Sequence, residues 1–487
     1  MIEIRRHRII LTKVNAEIKK KLSYKLGIWN KNRFSYSKLM FLELDNGTLA
    51  IPKHFPLKEF HYITGFDEKI YVNDFYKTKK SKFKMRPEIG WHPSNEEKAK
   101  IQKEAYNFLV INKEKPRKLL AMSTGYGKTF IAIKYITEFN HIPLIICNQL
   151  PLIKQWKKFF LQYTDIKEDD MKIISGSDVC EDIIFRDKYT DCQVYFVTHD
   201  TLNSLIKKNT SLLEKLFEKL KISIKVVDEA HKEFELIFKE DACCDVKESL
   251  FLTATPKRSK EEENKLLNYI LPFDYMYTNQ DKRSPNINVL VYTYTTKPTL
   301  EEETIISDSN GYGFSAAKWC DYVINNYWKD FSEGIIYNMK LCYKDKFRKT
   351  AILFKTKEMI FKFAEDLKKE FPDYSIGFFI NHKGLVTKKN KLDELNKDII
   401  LTTDISFVEG MDTSGLSLVI NTITFISDVI AIQVTGRIRE KGLYIDYCDD
   451  GFRKTNLHRK SRIKVYQKIA KKIFYTKHYK EFERVSI

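Results

Sequence analysis

Residues 121–130 read AMSTGYGKTF, and the fold of the chain turns on whether Gly127-Lys128-Thr129 closes a phosphate-binding loop. The general fingerprint G-x-x-x-x-G-K-[ST] asks for a glycine five places before Gly127, where this chain has Met122. The context is nevertheless the required one. A strand-like run, KLLAMS, precedes the glycines, and a helical pattern, TFIAIKYITEF, follows them. In such a loop the backbone N–H groups converge at a helix N-terminus, which favours an anion. Gly125 and Gly127 supply backbone freedom near the phosphates, Lys128 would reach the β and γ phosphates, and Thr129 would hold magnesium. An ordinary loop-to-helix turn carries the same residues, so the rest of the chain decides.

Working outward, strand-like and helix-like runs alternate: IPLIICN, the helix PLIKQWKKFFLQY, VYFVTH, KISIKVVDE and SLFLTATP. Upstream, Ser94 and Glu97 make a capping box before a helix with Ile101, Ala105, Phe108 and Leu109 at helical spacing. A second series runs from Lys349: TAILFK, the helix KEMIFKFAEDLKKEF, YSIGFFI, DIILTTD, LSLVINT, the helix DVIAIQVTGRIR and GLYIDYC. Continuous apolar strands separated by helices imply parallel sheets covered on both faces. The expected organisation is a small N-terminal α+β nucleic-acid-recognition module over 1–88, a first α/β lobe over 89–275, a linker with connecting helices over 276–348, and a second lobe with a basic C-terminal helix over 349–487. Pro272, Pro285 and Pro298 suggest the linker. Within the module, KLMFLEL and TLAIP flank Asn46-Gly47, a hairpin signal. The module ends in a basic stretch, Tyr76 to Arg86, that reads as a linker or exposed loop.

The chain has 487 residues, 43% of them hydrophobic, enough for two or three domains. Lys and Arg outnumber Asp and Glu by 84 to 65, a formal charge of +19 that favours polyanionic partners. The eight cysteines include no C-x-x-C pair, which argues against a disulfide scaffold or a zinc knuckle and for a reducing, cytoplasmic compartment. No apolar run approaches membrane-spanning length.

About a hundred residues after the loop, KVVDEAH places Asp228 and Glu229 at the end of an apolar strand. Phosphoryl transfer to water needs one carboxylate to hold magnesium and another group to orient and deprotonate the water, and adjacent carboxylates can supply both.

With these two sites in place the chain resembles superfamily 2 helicases, whose nucleotide loop is written A-x-x-G-x-G-K-T; Ala121 through Thr129, including Thr124 and Tyr126, fits that form. Met122 is therefore no defect. Further segments follow in the family's order. Gln102 resembles the glutamine that reads adenine, although Ile101 precedes it where an aromatic is common. QLPLIKQW (149–156) resembles motif Ia, DEAH (228–231) motif II and Thr253-Ala254-Thr255 motif III. TTDISFVEGMD resembles motif V through Thr403, Gly410 and Asp412, and QVTGRIR resembles motif VI through Gln433, Gly436 and Arg437. The resemblance covers residues 93 to 450.

It implies two RecA-like lobes with ATP and magnesium between them and nucleic acid across both. Lys128, Asp228, Glu229 and Arg437 would be catalytic, Thr129 and Asp228 metal-binding, and Gly410, Asp412, Arg437 and Arg439 part of the nucleotide site. His231, Thr253, Thr255 and Gln433 would couple nucleotide state to motion, and Thr198 and Thr403 would touch nucleic acid. One departure stands out. The family writes Q-x-x-G-R-x-x-R, whereas here Arg439 comes one residue early, which on a helix turns the side chain by roughly 100°. At the C-terminus, residues 453–487 hold twelve Lys and Arg against two Glu, with Ile463, Tyr466, Ile469 and Ile473 at helical spacing. The implied activity is ATP-dependent remodelling of forked or branched DNA, in the style of phage UvsW-type, XPB-type and poxvirus transcript-release helicases. The alternatives are an RNA helicase or transcript-release motor, and a nucleic-acid binding protein without catalysis.

Overall fold

The computed structural model describes all residues except 31–34, 66–68, 73–76, 94, 124, 259–260, 280–286, 307–313, 345, 381–392, 409–412, 414, 425–430, 432–433, 439–440, 481 and 483–487. The chain divides into two compact units, Met1–Gln280 and Asp281–Ile487.

In the first unit seven parallel strands lie in the order Met171–Ile174, Val194–Thr198, Pro143–Cys147, Ile224–Val227, Glu248–Thr253, Arg117–Ala121, Met276–Thr278. Four of them, Pro143–Cys147, Ile224–Val227, Glu248–Thr253 and Arg117–Ala121, are buried at every residue. Helices on both faces cause this, and it is why the sequence shows continuous apolar runs rather than alternation. Numbered in chain order, the spatial order is 3-4-2-5-6-1-7. In the second unit the parallel order is Ile376–Phe379, Ile399–Thr403, Lys349–Phe354, Leu416–Asn421, Gly442–Asp449, Ile287–Tyr294, Lys472–Lys477. This is again 3-4-2-5-6-1-7. Both units are RecA-like α/β lobes.

The repeated order explains where the structure departs from the expected boundaries. The span 276–348 gives its first strand, Met276–Thr278, to one sheet and its second, Ile287–Tyr294, to the other. Its helices Ala316–Asn326 and Trp328–Tyr343 bury Trp319, Phe331 and Ile335 in the second core. Pro298 follows the end of its strand, a position where a missing N–H costs no ladder bond. At the C-terminus the helix runs Arg453–Ile469 and stops. Ile473 lies not on its stripe but in the strand Lys472–Lys477, where IFYT has the β-branched and aromatic composition that strands favour. Arg462, counted among the basic residues, is internal, with Nε 2.9 Å from Asp446. The helix beginning at Glu96 is capped by Asn95, whose side chain accepts the Lys98 N–H at 2.9 Å; the expected cap Ser94 lies outside the described residues.

The N-terminal module is a mixed five-stranded sheet in the order Leu42–Glu43, Leu49–Pro52, Arg8–Leu11, Ile2–Ile4, Lys69–Tyr71. The Asn46-Gly47 hairpin is there, pairing Leu42 with Ala50, with Gly47 at φ 74°. Among the described residues the module has no core separate from that of the first lobe. Ile2, Leu11, Leu49 and Phe60 share one apolar cluster with Leu119, Leu205 and Phe217 of the first lobe. A buried ionic network crosses the same junction. Arg117 donates to Asp241 at 2.7 Å and to Nδ1 of His7 at 3.0 Å, Lys225 pairs with Asp241, and Arg8 reaches Asp245 at 3.3 Å. The basic stretch after Tyr76 is likewise pinned rather than loose. Ser81 N–H donates to Asn140 O, Lys84 N–H to Asp165, and Phe83 is buried against Phe160.

Arginine has no acceptor, so Nδ1 of His7 must be unprotonated and its Nε2–H donates to Val246 O at 2.9 Å. Burial and the Arg117 charge hold the His7 imidazole well below its usual range, and burial holds His54 and His141 at about 3. Below the unfolded histidine value near pH 6.5 the unfolded chain takes up protons that the folded chain refuses, so stability falls with acid. The melting temperature should drop steadily from pH 7 to pH 5. His7→Gln should flatten that dependence by about 1.4 kcal/mol per pH unit, checked by thermal melts in a pH series.

Candidate functional site

Three neighbouring strands of the first lobe, Ile224–Val227, Glu248–Thr253 and Arg117–Ala121, all point their C-terminal ends the same way. Each carries one of the expected motifs at that end, the place where open α/β sheets present ligand sites. The outer two are two strand spacings apart, about 10 Å.

The loop after Arg117–Ala121 begins with Met122, which is buried; its N–H donates to Thr253 O at 3.0 Å and its carbonyl accepts Lys128 Nζ at 2.9 Å. Gly125 and Gly127 have φ of 86° and 88°, the left-handed region that favours glycine. Gly127 is the N-cap of the helix Lys128–Glu138, with no side chain capping it, so the first N–H groups of that helix face the loop. Gly125, Gly127, Lys128 and Thr129 are partly exposed, whereas the Tyr126 side chain is buried. Gln102 is buried under the loop. Its carbonyl accepts the His92 N–H at 3.0 Å and its amide donates to Tyr126 O at 3.3 Å. A Cβ on Gly127 would stand 2.6 Å from Gln102 Nε2, so glycine is required here by space as well as by φ. Thr124 lies outside the described residues.

At the end of Ile224–Val227 the chain turns sharply. Glu229 has φ 49°, a left-handed conformation that costs a non-glycine residue about 1–2 kcal/mol. The turn lets Ala230 N–H reach Leu252 O at 3.0 Å and carries His231 beneath the neighbouring strand. Asp228 is partly exposed and held by two donors, Glu229 N–H on Oδ1 at 2.9 Å and Trp156 Nε1–H on Oδ2 at 2.9 Å. Burial and the adjacent Glu229 charge raise the Asp228 carboxyl above its usual range, and the Trp156 hydrogen bond and then the Lys128 charge offset part of that. His231 Nδ1 lies 2.8 Å from Thr253 Oγ1 and 3.5 Å from Glu229 Oε2. Thr253 Oγ1 also accepts the Thr255 N–H at 3.0 Å and lies 3.1 Å from Thr255 O. With its single proton on Thr255 O, the hydroxyl leaves His231 Nδ1–H as the donor between them. Burial holds His231 at about 4, so it is neutral at physiological pH. Thus the loop, the two carboxylates, His231, Thr253 and Thr255 are brought together.

Thr198 ends its strand as the N-cap of His199–Lys208, accepting the Thr201 N–H at 3.3 Å. Thr403 does the same for the short helix Asp404–Val408, accepting the Ser406 N–H at 3.4 Å. The two threonines end the equivalent strand, second in spatial order, of their respective sheets. Arg437 is buried, and Arg437 N–H to Val434 O and Ile438 N–H to Thr435 O are bonds of the i to i−3 kind. The helix has given way to a tight turn at Arg437 and Ile438. Gly410, Asp412, Gln433 and Arg439 themselves lie outside the described residues.

Sequence reasoning gave no individual role to three groups. Trp156 entered it only as the last residue of the motif Ia-like segment. Asn279, in the expected linker, accepts the Ser123 N–H of the loop at 2.8 Å. Arg258 donates to the His231 carbonyl at 3.2 Å.

Residues 95–258 match the family described as type III restriction enzyme, res subunit. No curated protein matches the chain in sequence. Among solved structures, Saccharomyces cerevisiae Dbp5 bound to RNA and ADP BeF3 is similar at a TM-score of 0.54 and 15% identity, over 78% of this chain and 89% of that one. The Pyrococcus furiosus Hef helicase domain scores 0.46 at 14% identity, over 74% and 97%. T4 UvsW scores 0.36 at 15% identity, over 98% and 99%. At these identities the Dbp5 likeness shows the fold, and the two lower scores carry no argument.

Gly127→Ala should strain the loop by about 1–2 kcal/mol through φ alone and push Gln102 from Tyr126 O. The expected outcome is loss of triphosphate binding in a chain that still melts cooperatively, read by a fluorescent nucleotide titration.

Proposed function

On the premise that the chain is an ATP-hydrolysing enzyme of the helicase fold, as its family match and architecture support, we propose that it is an ATP-driven helicase or translocase acting on forked or branched DNA. The observation that carries the ATPase reading is the assembly at three adjacent strand ends of a glycine loop with Lys128, the pair Asp228-Glu229, and the His231–Thr253 contact.

In this reading the loop N–H groups from Gly125 onward and Lys128 hold the phosphates. Among the described residues Gln102 bonds to His92 and Tyr126 through one lone pair and one donor, and adenine recognition is the role that the family resemblance implies for it. Asp228 and Thr129 suit magnesium: both are oxygen donors, and a cation offsets the burial and the Glu229 repulsion that raise the Asp228 carboxyl. Among the described residues no group of three His, Cys, Asp or Glu could hold a metal alone, so phosphate and water oxygens would complete the shell. Magnesium, when bound, neutralises developing phosphate charge. Glu229, fixed by its turn, orients and deprotonates the attacking water. His231 passes a change at Glu229 to Thr253 and Thr255. Arg437 is the candidate to neutralise charge developing on the phosphates; Gly410, Asp412, Gln433 and Arg439 retain the roles that the family resemblance implies. Thr198 and Thr403 are proposed nucleic-acid contacts at equivalent sheet positions.

Support for a nucleic-acid partner is the charge of +19 and, on the N-terminal module, exposed Lys20, Lys21 and Tyr24 on one helix. RNA is the second reading, since the Dbp5 structure of similar fold was solved with RNA.

Lys128→Ala should lower ATP turnover about 100-fold or more, and Glu229→Gln should bind ATP yet hold it unhydrolysed. Wild-type hydrolysis by Glu229→Gln would remove Glu229 as the base. Arg437→Ala should abolish stimulated hydrolysis. For the substrate, unwinding and ATPase stimulation are compared on forked DNA, four-way junctions and matched RNA. Because the module shares the first lobe's core, it is tested with Lys20→Ala/Lys21→Ala/Tyr24→Ala rather than by truncation. Selective loss of fork unwinding is expected; better stimulation by RNA than by any DNA would overturn the DNA reading.

A further inference from the structure

We infer that Trp156 is a positioning residue for the metal-binding carboxylate, an inference that rests on the reading of Asp228 as a magnesium ligand. Trp156 lies on the helix Leu150–Tyr163, whose inner face also buries Leu152, Ile153 and Phe160. For packing alone any large apolar ring would serve at this place. What packing does not require is the indole N–H, which donates to Asp228 Oδ2 at 2.9 Å while the Glu229 N–H takes Oδ1 at 2.9 Å. One donor on each oxygen fixes both side-chain torsions of the aspartate. Trp156 is only 2% exposed, so its bond comes from the core, and the remaining lone pairs of the partly exposed carboxylate are left for a ligand on the open side.

The chemistry of the donor matters. Lys or Arg in this place would orient the carboxylate but compete with a cation for its charge. An indole is a neutral donor with no acceptor, so it orients without neutralising. Partners of this kind set the direction and basicity of a metal ligand, and their removal typically weakens metal binding 10–100-fold. The tryptophan also stands on the helix that begins with the motif Ia-like segment, which ties that helix directly to the carboxylate.

The test uses the full chain with Trp156→Phe, which keeps an aromatic ring and removes the donor. Manganese binding in the presence of a non-hydrolysable ATP analogue is measured by electron paramagnetic resonance, together with analogue binding in excess chelator and a thermal melt. The expected result is manganese affinity weaker by about 10-fold or more, with metal-free analogue binding and cooperative melting retained, and with the magnesium concentration for half-maximal ATPase raised while the saturated rate recovers. Unchanged manganese affinity, or an equal loss of metal-free analogue binding, overturns the inference. Asp228→Asn is run beside it. If that variant also binds manganese normally, the reading of Asp228 has failed; if it loses manganese and Trp156→Phe does not, the role of Trp156 alone has failed.

Discussion

Thr253 ends the strand that separates the glycine loop from the carboxylates, and both of its oxygens are engaged across the site. Its carbonyl takes the first N–H of the loop, from Met122, and its hydroxyl meets His231 behind the carboxylate turn. The loop and the turn belong to strands that do not touch each other in the sheet, so their relative position depends on this middle strand. The left-handed Glu229 is tolerable because Ala230 and His231 are both tied to the same strand, through Leu252 O and Thr253. A conformation that is costly in isolation persists when its surroundings over-determine it.

The same sheet is stabilised at its opposite edge by charge. Arg117 opens the strand that leads to the loop, and Lys225 lies on the strand that leads to Asp228; both pair with the buried Asp241, while Arg117 also holds His7 of the N-terminal module. Removing one member of such a buried network strands the others, at a cost of about 3–5 kcal/mol. The module is thus joined to the strands that end in the glycine loop and the paired carboxylates, not to a remote surface.

Much of this was legible in the sequence. Continuous apolar runs pointed to the parallel sheets, and Gly127-Lys128-Thr129 with Asp228-Glu229 pointed to the candidate site, because a glycine loop and strand-end carboxylates are chemically restrictive. The strand Ile287–Tyr294 was hidden by prolines on either side, which look alike whether they bound a linker or a strand. Ile473 followed a helical stripe by spacing alone, and periodicity does not register that the helix has already ended at Ile469. The 3-4-2-5-6-1-7 order shared by the two lobes leaves no trace in residue identity, since parallel strands ask only for apolar side chains. Trp156 stood only as the end of the motif Ia-like segment, because spacing does not show which group its N–H meets.

That shared order makes the two lobes comparable strand by strand. In the second lobe the strand equivalent to Arg117–Ala121 is Ile287–Tyr294, and the chain leaves it through Thr296. There the buried carboxylate of Asp449, at the end of the neighbouring strand, accepts the Thr296 N–H at 3.1 Å and its hydroxyl at 2.7 Å, with Trp319 and Gly451 as further donors. Where the first lobe follows its strand with a partly exposed glycine loop and an uncapped helix N-terminus, the second has a carboxylate of its own in the chain's path. Duplication of the architecture has therefore not duplicated the glycine loop: at the corresponding strand end the second lobe satisfies its backbone with the Asp449 carboxylate instead.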